Sequence, residues 1–307
     1  MAGTTTPPAV GMEEYVEPTW GSKLAYVWRL LWRDKGGLLG MILFLLMVIT
    51  AVFAPIIAPH DPLEQNLRDS KLPPAWYEGG NWDYPLGTDR LGKDIFSRIV
   101  YGTRVSLTVA VFGVLIAGGL GLLAGLVAGF MGGKVDGAIM AGVNLWLAIP
   151  YLVFVVVIAS ILGRSLFNVI LIFGITDSPI FARVTRGEVL RIRQSGYVES
   201  AISVGASTSR IMFDHILPNL IGPLITLATF EMSAMIFYEA GLSSWAERAA
   251  HWCQLGQHGR SLPSILAKLP WMVIYPGLAI AIASLAMNLL GDWLRDVLDP
   301  RLRRSRA

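Results

Sequence analysis

Residues 197–218 read YVESAISVGASTSRIMFDHILP and form a polar segment between two strongly apolar runs. The spacing predicts a short helix that starts near Glu199, Ser200 and Ala201, followed by a turn at Gly205-Ala206. A second helix is predicted to start near Arg210 and to continue into the next apolar run. Small residues at the turn permit another surface to approach, and Glu199 supplies a hydrogen-bond acceptor. A partner outside the apolar runs is one reading of this segment, and an ordinary solvated connector is the other.

The composition identifies the surroundings of this segment. The chain has 307 residues, of which 54% are hydrophobic and only 15% are charged, whereas soluble domains carry about 25% charged residues. Several runs of roughly 20 apolar residues have the length that is needed to cross a bilayer. The net charge of +3 gives no argument for nucleic acid. The single cysteine, Cys253, excludes a disulfide framework and a cysteine-based metal site, and no metal ligand set is predicted.

The apolar runs predict an all-α, polytopic membrane protein with about six transmembrane helices. The second run contains Gly118, Gly119, Gly121, Gly125 and Gly129, a small-residue face that predicts close helix packing. Prolines fall inside the third and fourth runs, where neighbouring helices can cover the freed carbonyl groups. The predicted spans are residues 38–58, 103–131, 137–162, 166–182, 216–240 and 270–292.

The basic residues predict the orientation. Six spans place both termini on one side, and with both termini inside, 15 of the 25 lysines and arginines lie in inner segments. The positive-inside rule is applied to short flanks, and two of these are rich in arginine. They are the polar segment with its approach (Arg183, Arg186, Arg191, Arg193 and Arg210) and the tail after the last span (Arg295, Arg301, Arg303, Arg304 and Arg306). Both are predicted to be cytoplasmic.

The pattern divides the chain into four parts. Residues 1–36 are predicted as a cytoplasmic tail with an approach helix on the membrane surface, for which a plain juxtamembrane anchor is the alternative. Residues 37–102 hold the first span and a long outer segment. Residues 103–292 form the core with the polar helix at about 196–215, and residues 293–307 form a basic cytoplasmic tail.

Residues 199–218 resemble the Glu-Ala-Ala…Gly…Ile-x-Leu-Pro loop of binding-protein-dependent ABC importer permeases, with Ser200 in place of the first alanine. Further motifs appear in the order typical of the dipeptide and oligopeptide (and nickel) permeases, and they indicate the C-type, second permease subunit. These motifs are LGTDRLGKD (86–94), YGTRVSL (101–107), ARVTRG (182–187), EAGLS (239–243), PGLAI (276–280) and NLLGDWLRD (288–296).

This resemblance implies a type I ABC importer fold in which the polar segment is the cytoplasmic coupling helix. The family roles then fall on Glu199, Ser200, Ala201, Gly205, Ala206 and Arg210. The implied partners are a second homologous permease subunit, two ATP-binding subunits, an extracytoplasmic peptide-binding protein and membrane lipid, with no nucleic acid. ATP and Mg would be bound by the partner subunits and no cofactor by this chain, which contains no Gly-x-x-x-x-Gly-Lys-Ser/Thr motif. The implied location is a bacterial or archaeal plasma (inner) membrane.

One stretch departs from the family pattern. Residues 244–260 read SWAERAAHWCQLGQHGR, where the subfamily continues with Phe-Leu-Gly-Leu-Gly, a proline pair and Ser-Trp-Gly-Asn-Met. Suitable codons for residues 253–259, read one nucleotide later, encode Ala-Ser-Trp-Gly-Asn-Met-Val. We therefore hypothesise a compensated frameshift in this stretch, with a divergent outer loop as the alternative. Codons that do not permit the offset reading would refute the frameshift.

Ionisable side chains inside spans are costly in lipid and are therefore candidates for the translocation pathway. Asp177 and Glu231 lie inside spans, and Glu239 lies near the outer end of the fifth. Asp177 is expected to face the cavity, where it would meet a peptide amino group, to sit in a wet break ahead of Pro179, or to pair with Arg183 within the bundle. Met235 is a further lining candidate, for which core packing is the alternative.

Two other function classes are weighed against a peptide importer of this kind. A membrane enzyme would need a nucleophile–base pair or a metal cluster at membrane depth, but His60, His215, His251 and His258 lie outside the spans or at their ends. An ion-coupled secondary carrier often has inverted repeats, and no internal repeat is evident. The same architecture importing nickel or another small solute is the closer alternative.

Overall fold

The computed structural model describes residues 28–32, 34–163, 165–254 and 269–298, with the backbone alone described over 243–254. Within these residues there is no β-strand, and the only β-type pairing is an isolated bridge between Thr88 and Asp94. The N-terminal tail and most of the approach helix lie outside the described residues, although 28–32 is helical. Residues 255–260 of the divergent stretch and 299–307 of the basic tail also lie outside them.

Most helices follow one another with short connections, and a long segment separates the helix ending at Ile57 from the helix beginning at Ile95. A single 3₁₀ turn, Leu67–Asp69, interrupts the long connection before α3, and a π-helical turn, Ile211–Ile216, joins α8 to α9. The helices are α1 (Lys35–Val52), α2 (Ala54–Ile57), α3 (Ile95–Met131), α4 (Gly133–Leu147), α5 (Tyr151–Leu162), α6 (Leu166–Arg193), α7 (Gly196–Ser203), α8 (Thr208–Arg210), α9 (Leu217–Gln254) and α10 (Trp271–Leu298).

The prediction of about six transmembrane helices is confirmed. Five helical stretches in the described part of the chain are long and apolar enough to span a membrane, and the pair α4–α5 supplies the sixth as a span broken by an 86° bend. The break falls at Pro150, which caps α5. Proline lacks the backbone N–H that a continuing helix needs, and it disfavours helical backbone in the preceding residue. The predicted third span, 137–162, is therefore two half-length helices.

Several other spans extend beyond their predicted runs, and α9, for example, continues to Gln254 where the predicted end is 240. α3 begins at Ile95, eight residues before the predicted start, because the Asp94 carboxylate caps it by accepting hydrogen bonds from the backbone of Phe96 and Ser97. α6 continues to Arg193, eleven residues beyond the predicted end at 182. We call the end of the bundle where α3 and α6 finish the α7 end, and the opposite end the far end.

The most extensive helix contact is between α3 and α6, which run parallel. Gly121, Gly125 and Gly129, each four residues apart, face α6 at backbone distance. A β-carbon on Gly121 would lie 2.3 Å from the β-carbon of Phe181, and one on Gly125 would lie 2.5 Å from the carbonyl oxygen of Ala182. Because real β-carbons do not approach other atoms so closely, only glycine fits. The predicted small-residue packing is confirmed for these three glycines, whereas Gly118 and Gly119 lie outside the close contact.

The hydrophobic core surrounds this contact. Val109 and Val114 of α3 pack with Phe173 and Phe181 of α6, and Met235 of α9 completes the cluster. The opposite faces of the same helices carry exposed leucines and isoleucines. A helical face of this kind suits contact with lipid chains, since all backbone polar groups are already satisfied within the helix.

The predicted outer segment folds back on the start of α3. The Arg98 guanidinium donates to Asp89 Oδ2 over 2.8 Å, and the hydroxyl of Thr88 donates to the carbonyl of Asp69. Ser97 Oγ donates to Asp94 Oδ2 over 2.6 Å. The buried polar residues of the LGTDRLGKD motif are thus hydrogen-bonded, as buried polar groups need to be. This motif holds the segment against the far end of α3.

Candidate functional site

The short helix α7 is delimited by specific local chemistry. Gly205, at φ +80°, donates its backbone N–H to Ile202 and Ala206 donates to Ala201. These two bonds form a Schellman motif, in which a glycine in the left-handed region ends a helix. No atom lies within 4 Å of the position that a β-carbon of Gly205 would occupy. The residue is therefore required for its backbone conformation, a more specific reason than the close-approach turn predicted from the sequence.

The inner side of α7 is anchored in an apolar cluster at the α7 end. Val198 is fully buried there, together with Val189 and Ile192 of α6 and with Ile211 and Ile216 of the following turn. Full burial of a valine side chain contributes about 1.5–3 kcal/mol. Ala206 packs against the edge of this cluster, and Ala201 is half-buried. α7 is consequently a fixed part of the bundle although it lies outside the spans.

The outer side of α7 is exposed and mixed in character. Ile202 is 48% exposed and Val204 is 85% exposed, and Glu199 and Ser200 are exposed beside them. Within the described part of the chain, the Glu199 carboxylate makes no hydrogen bond or ion pair. Arg210 lies 3.6 Å from Asp214, an exposed pair one turn apart. We call Glu199, Ser200, Ile202 and Val204 the α7 face.

A continuous helical path leads from α8, which follows the turn at the end of α7, into the membrane-spanning part. Ser207 caps α8, and the chain continues through the π turn into α9 without a break. Asn219 Nδ2 donates to the carbonyl of His215 over 2.7 Å, beside the Tyr197 ring of α7. α7 therefore contacts both α6, through Val198, and the start of α9, through Tyr197 and Asn219.

A cavity of about 470 Å³ lies at the break between α4 and α5. The loop Ala148–Pro150 forms one wall, and α6 and α9 form the others. Asp177 and Thr176 line it from α6, and Glu231 and Tyr238 line it from α9. The structure therefore brings the acidic residues of two spans, Asp177 and Glu231, to one cavity. Arg183 donates to Asn144 over 2.8 Å, so it is engaged with α4 rather than with Asp177.

The other two pathway candidates lie elsewhere. Met235 is fully buried in the core, where its sulfur faces Gly113 of α3, and it does not line the cavity. The packing alternative thus describes Met235 better than the lining one. Glu239 accepts a 2.6 Å hydrogen bond from Ser106 Oγ, towards the far end of α3 and α9.

The sequence reasoning missed two residues of the cavity. Trp146 and Tyr151 stand on either side of the break and both line the space. Their signal was the proline in the middle of the third apolar run with an aromatic residue close on each side. That pattern marks a broken span, whose loop is tolerated only where it is covered by protein or lines a cavity.

Comparison with known proteins agrees with this architecture. Residues 121–304 match the family of binding-protein-dependent transport system inner membrane components, and residues 22–74 match the N-terminal transmembrane domain of oligopeptide transport permease C. The dipeptide transport system permease protein of Haemophilus influenzae is 40% identical over 88% of this chain and 92% of its own length.

Two further relatives cover similar shares. The di/tripeptide transport system permease protein of Pseudomonas aeruginosa is 39% identical over 92% of this chain and 94% of its own length. The oligopeptide transport system permease protein of Bacillus subtilis is 34% identical over 89% of this chain and 91% of its own length. With a multi-pass helical fold and a match over more than half of its residues, this chain belongs to the family of inner-membrane components of binding-protein-dependent transport systems.

Proposed function

We propose that this chain is the permease subunit of an ATP-driven importer of dipeptides and oligopeptides, and that it forms half of the translocation pathway. The relatives are permeases of dipeptide, di/tripeptide and oligopeptide transport systems, which favours peptides over nickel or another small solute. The second half of the pathway would come from a homologous permease subunit. The observation that carries the proposal is α7, a helix anchored by Val198 whose outer face is left exposed.

The α7 face is the proposed docking surface for an ATP-binding subunit. Ile202 and Val204 offer apolar area to a groove, and Glu199 offers an acceptor to the donors of a partner. Two such subunits would bind ATP and Mg, and their closure would push α7. Because α7 is packed on α6 and contacts the start of α9 through Tyr197 and Asn219, the push would move the helices that line the cavity. This is a two-state change biased by ligand on another chain.

The proposed orientation places the α7 end and both termini in the cytoplasm of a bacterial or archaeal cell. Arg186, Arg191 and Arg193 lie in the last two turns of α6, which supports this side by the positive-inside rule. The far end, with the segment that packs on α3, would then face the extracytoplasmic peptide-binding protein and the partner permease.

Within the membrane, the proposed pathway passes the cavity at the α4–α5 break. Asp177 and Glu231 are its acidic residues, and Glu239 lies further towards the proposed entrance. Met235 would contribute to packing behind the lining.

The substitution Glu199→Arg tests the coupling role. In the complete transporter reconstituted with its binding protein, we expect ATP hydrolysis to lose its dependence on peptide, and peptide uptake to fall at least about tenfold, since a reversed charge at an interface costs more than 1.4 kcal/mol. Membrane insertion and the amount of folded chain should not change, because the Glu199 side chain is exposed and its carboxylate makes no hydrogen bond or ion pair with the described residues.

Glu188→Arg is the matched control. It makes the same charge reversal on α6, where Glu188 pairs with Arg191 outside the α7 face, and it should leave uptake coupled to hydrolysis. Coupled uptake at the normal rate in the Glu199→Arg transporter would refute the docking role.

A further inference from the structure

Three residues that line the cavity at the α4–α5 break carry a buried polar atom without a hydrogen-bond partner among the described residues. They are Asp177 Oδ2, the Tyr151 hydroxyl and the indole N–H of Trp146. Buried polar atoms are almost always hydrogen-bonded, and leaving one unpaired costs about 1–3 kcal/mol. The Tyr151 hydroxyl and the Asp177 carboxylate also interact with each other across this wall, and the Trp146 indole N–H still needs an acceptor that a ligand in the cavity can supply.

The charge of the cavity indicates the sign of the missing group. Asp177 is 1% exposed and Glu231 lines the same space. Among the described residues, those that line the cavity include no lysine, arginine or histidine. Acidic groups at membrane depth are normally paired or face a functional cavity, because an isolated charge is expensive there. A cation is the natural complement of this pair.

The aromatic walls of the cavity and its volume indicate which kind of cation would fit. The rings of Tyr151 and Tyr238 lie 4.4 Å apart, tilted by 38°, and both line the cavity. Aromatic faces attract ammonium groups. A volume of about 470 Å³ falls within the range of small-molecule sites, which is about 300–1,000 Å³, and it exceeds what a bare metal ion requires.

The mixture of orphan atoms fits a ligand with both donors and acceptors. A primary ammonium has three N–H donors for Asp177 and Glu231. The Trp146 indole is a donor only, so it requires an acceptor such as a carbonyl oxygen on the same ligand. A peptide with a free amino terminus carries an ammonium and a carbonyl separated by one carbon.

We propose that the cavity is a binding site for the free α-ammonium of a peptide in transit, held by Asp177 and Glu231, with the first peptide carbonyl accepting from Trp146. This inference rests on the proposed function and assigns to the permease itself a preference for peptides with an unblocked amino terminus. The site lies between α6 and α9, the two helices that α7 contacts. Closure of the ATP-binding subunits against α7 would therefore alter the distance between the carboxylates of Asp177 and Glu231.

The test measures binding to the complex of this chain, its partner permease and the ATP-binding subunits in lipid nanodiscs, without the peptide-binding protein. Thermal stabilisation is recorded over a concentration series of dialanine and of N-acetyl-dialanine. Selective binding to the folded complex raises its melting temperature with concentration, which yields an apparent Kd. We expect stabilisation by dialanine and none by N-acetyl-dialanine at the same concentrations.

The variant Asp177→Asn should raise the apparent Kd for dialanine at least about tenfold, because hydrogen bonds to charged groups contribute about 1.5–3 kcal/mol. Asp177→Glu, which keeps the carboxylate, should retain part of the affinity. Asp83→Asn is the control: Asp83 is an exposed carboxylate that accepts from Asn81 in the segment packed on α3, and its loss should leave the Kd unchanged.

The outcomes separate this site from the function on which it rests. Equal stabilisation by the two peptides, or an unchanged Kd in Asp177→Asn, would overturn the ammonium site even if cells still import dialanine. If cells expressing the whole system import neither dialanine nor trialanine, the proposed function fails. Stabilisation by dialanine that requires Asp177 and a free amino group would establish the site.

Discussion

The contact between α3 and α6 and the break between α4 and α5 are neighbouring regions that differ in how closely their helices pack. At the first, Gly121, Gly125 and Gly129 allow two helices to touch through their backbones, and no space is left. At the second, the chain opens around a cavity of about 470 Å³ with unpaired polar atoms in its walls. α6 belongs to both regions, since Phe181 faces the glycines and Asp177 faces the cavity.

This difference separates the part that must stay rigid from the part that must adapt. Close packing of small residues is a main source of helix association in membranes, where the hydrophobic effect does not act between helices. Unsatisfied polar groups do the opposite and lower stability in return for the capacity to bind. One face of α6 therefore stabilises the bundle, and its other face is available to a ligand.

Gly121→Leu is expected to have the largest effect, because it breaks the rigid region. A side chain at this position would meet Phe181 and the carbonyl oxygen of Ser178, 2.6 Å from its β-carbon. Overpacking costs about 1–3 kcal/mol, and against backbone atoms we expect the upper end of that range or more. The melting temperature of the chain in detergent and the yield of folded protein should both fall sharply.

Gly119→Leu is the control for that prediction. It lies on the same helix, has no atom within 4 Å of its β-carbon position, and is exposed. It should leave the melting temperature nearly unchanged. Equal losses in both variants would mean that the packing of α3 on α6 is not what stabilises the bundle.

The ion pair between Asp136 and Arg186 joins the two regions, and its loss should have an intermediate effect. Arg186 Nε and Nη2 donate to the two carboxylate oxygens over 3.0 and 2.6 Å, which ties the first turn of α4 to α6. The single variants Asp136→Arg and Arg186→Asp place like charges together and should each lower the melting temperature by a few degrees. The double variant restores opposite charges and should recover most of the loss; additive losses would argue against a direct pair.

The smallest effect is expected in the cavity, and its sign is reversed. Asp177→Asn removes a buried carboxylate with an unpaired oxygen, so it should raise the melting temperature of the ligand-free complex, by about 1 kcal/mol or less in stability. Gly121→Leu and Asp177→Asn would then move stability in opposite directions from two faces of one helix. A fall in melting temperature for Asp177→Asn would show that the interaction of the carboxylate with Tyr151 outweighs the cost of burying it.

The fold was predictable where local chemistry and apolar length agree. Runs of about 20 apolar residues gave the number of spans, and Gly121, Gly125 and Gly129 gave a packing face, because both follow from one-dimensional spacing. The continuation of α6 to Arg193 was not predictable in this way, since its last eleven residues include five charged ones, Arg183, Arg186, Glu188, Arg191 and Arg193. They are held as helix by the packing of Val189 and Ile192.

In the candidate site, too, features set by local sequence were predictable and features set by helix packing were not. The α7 segment could be located because its composition contrasts with the apolar runs on both sides, and Gly205 signals the end of a helix. The partnership of Asp177 with Glu231 could not, because the two residues are 54 positions apart and only the packing of α6 against α9 brings them to one cavity. The position of Met235 could not be predicted for the same reason, because only the packing of α9 on α3 turns its side chain towards Gly113.

The sequence by itself determined that this chain spans the membrane about six times and carries a polar helix between two spans. These are properties of composition and spacing, which the bilayer thickness and the cost of exposed backbone in lipid convert directly into structure. The tertiary structure alone decided which face of each helix is buried. It closed α3 on α6 through glycine, opened a cavity at Pro150, and left one side of α7 uncovered, because side chains distant in sequence compete for the same space only after the helices have packed.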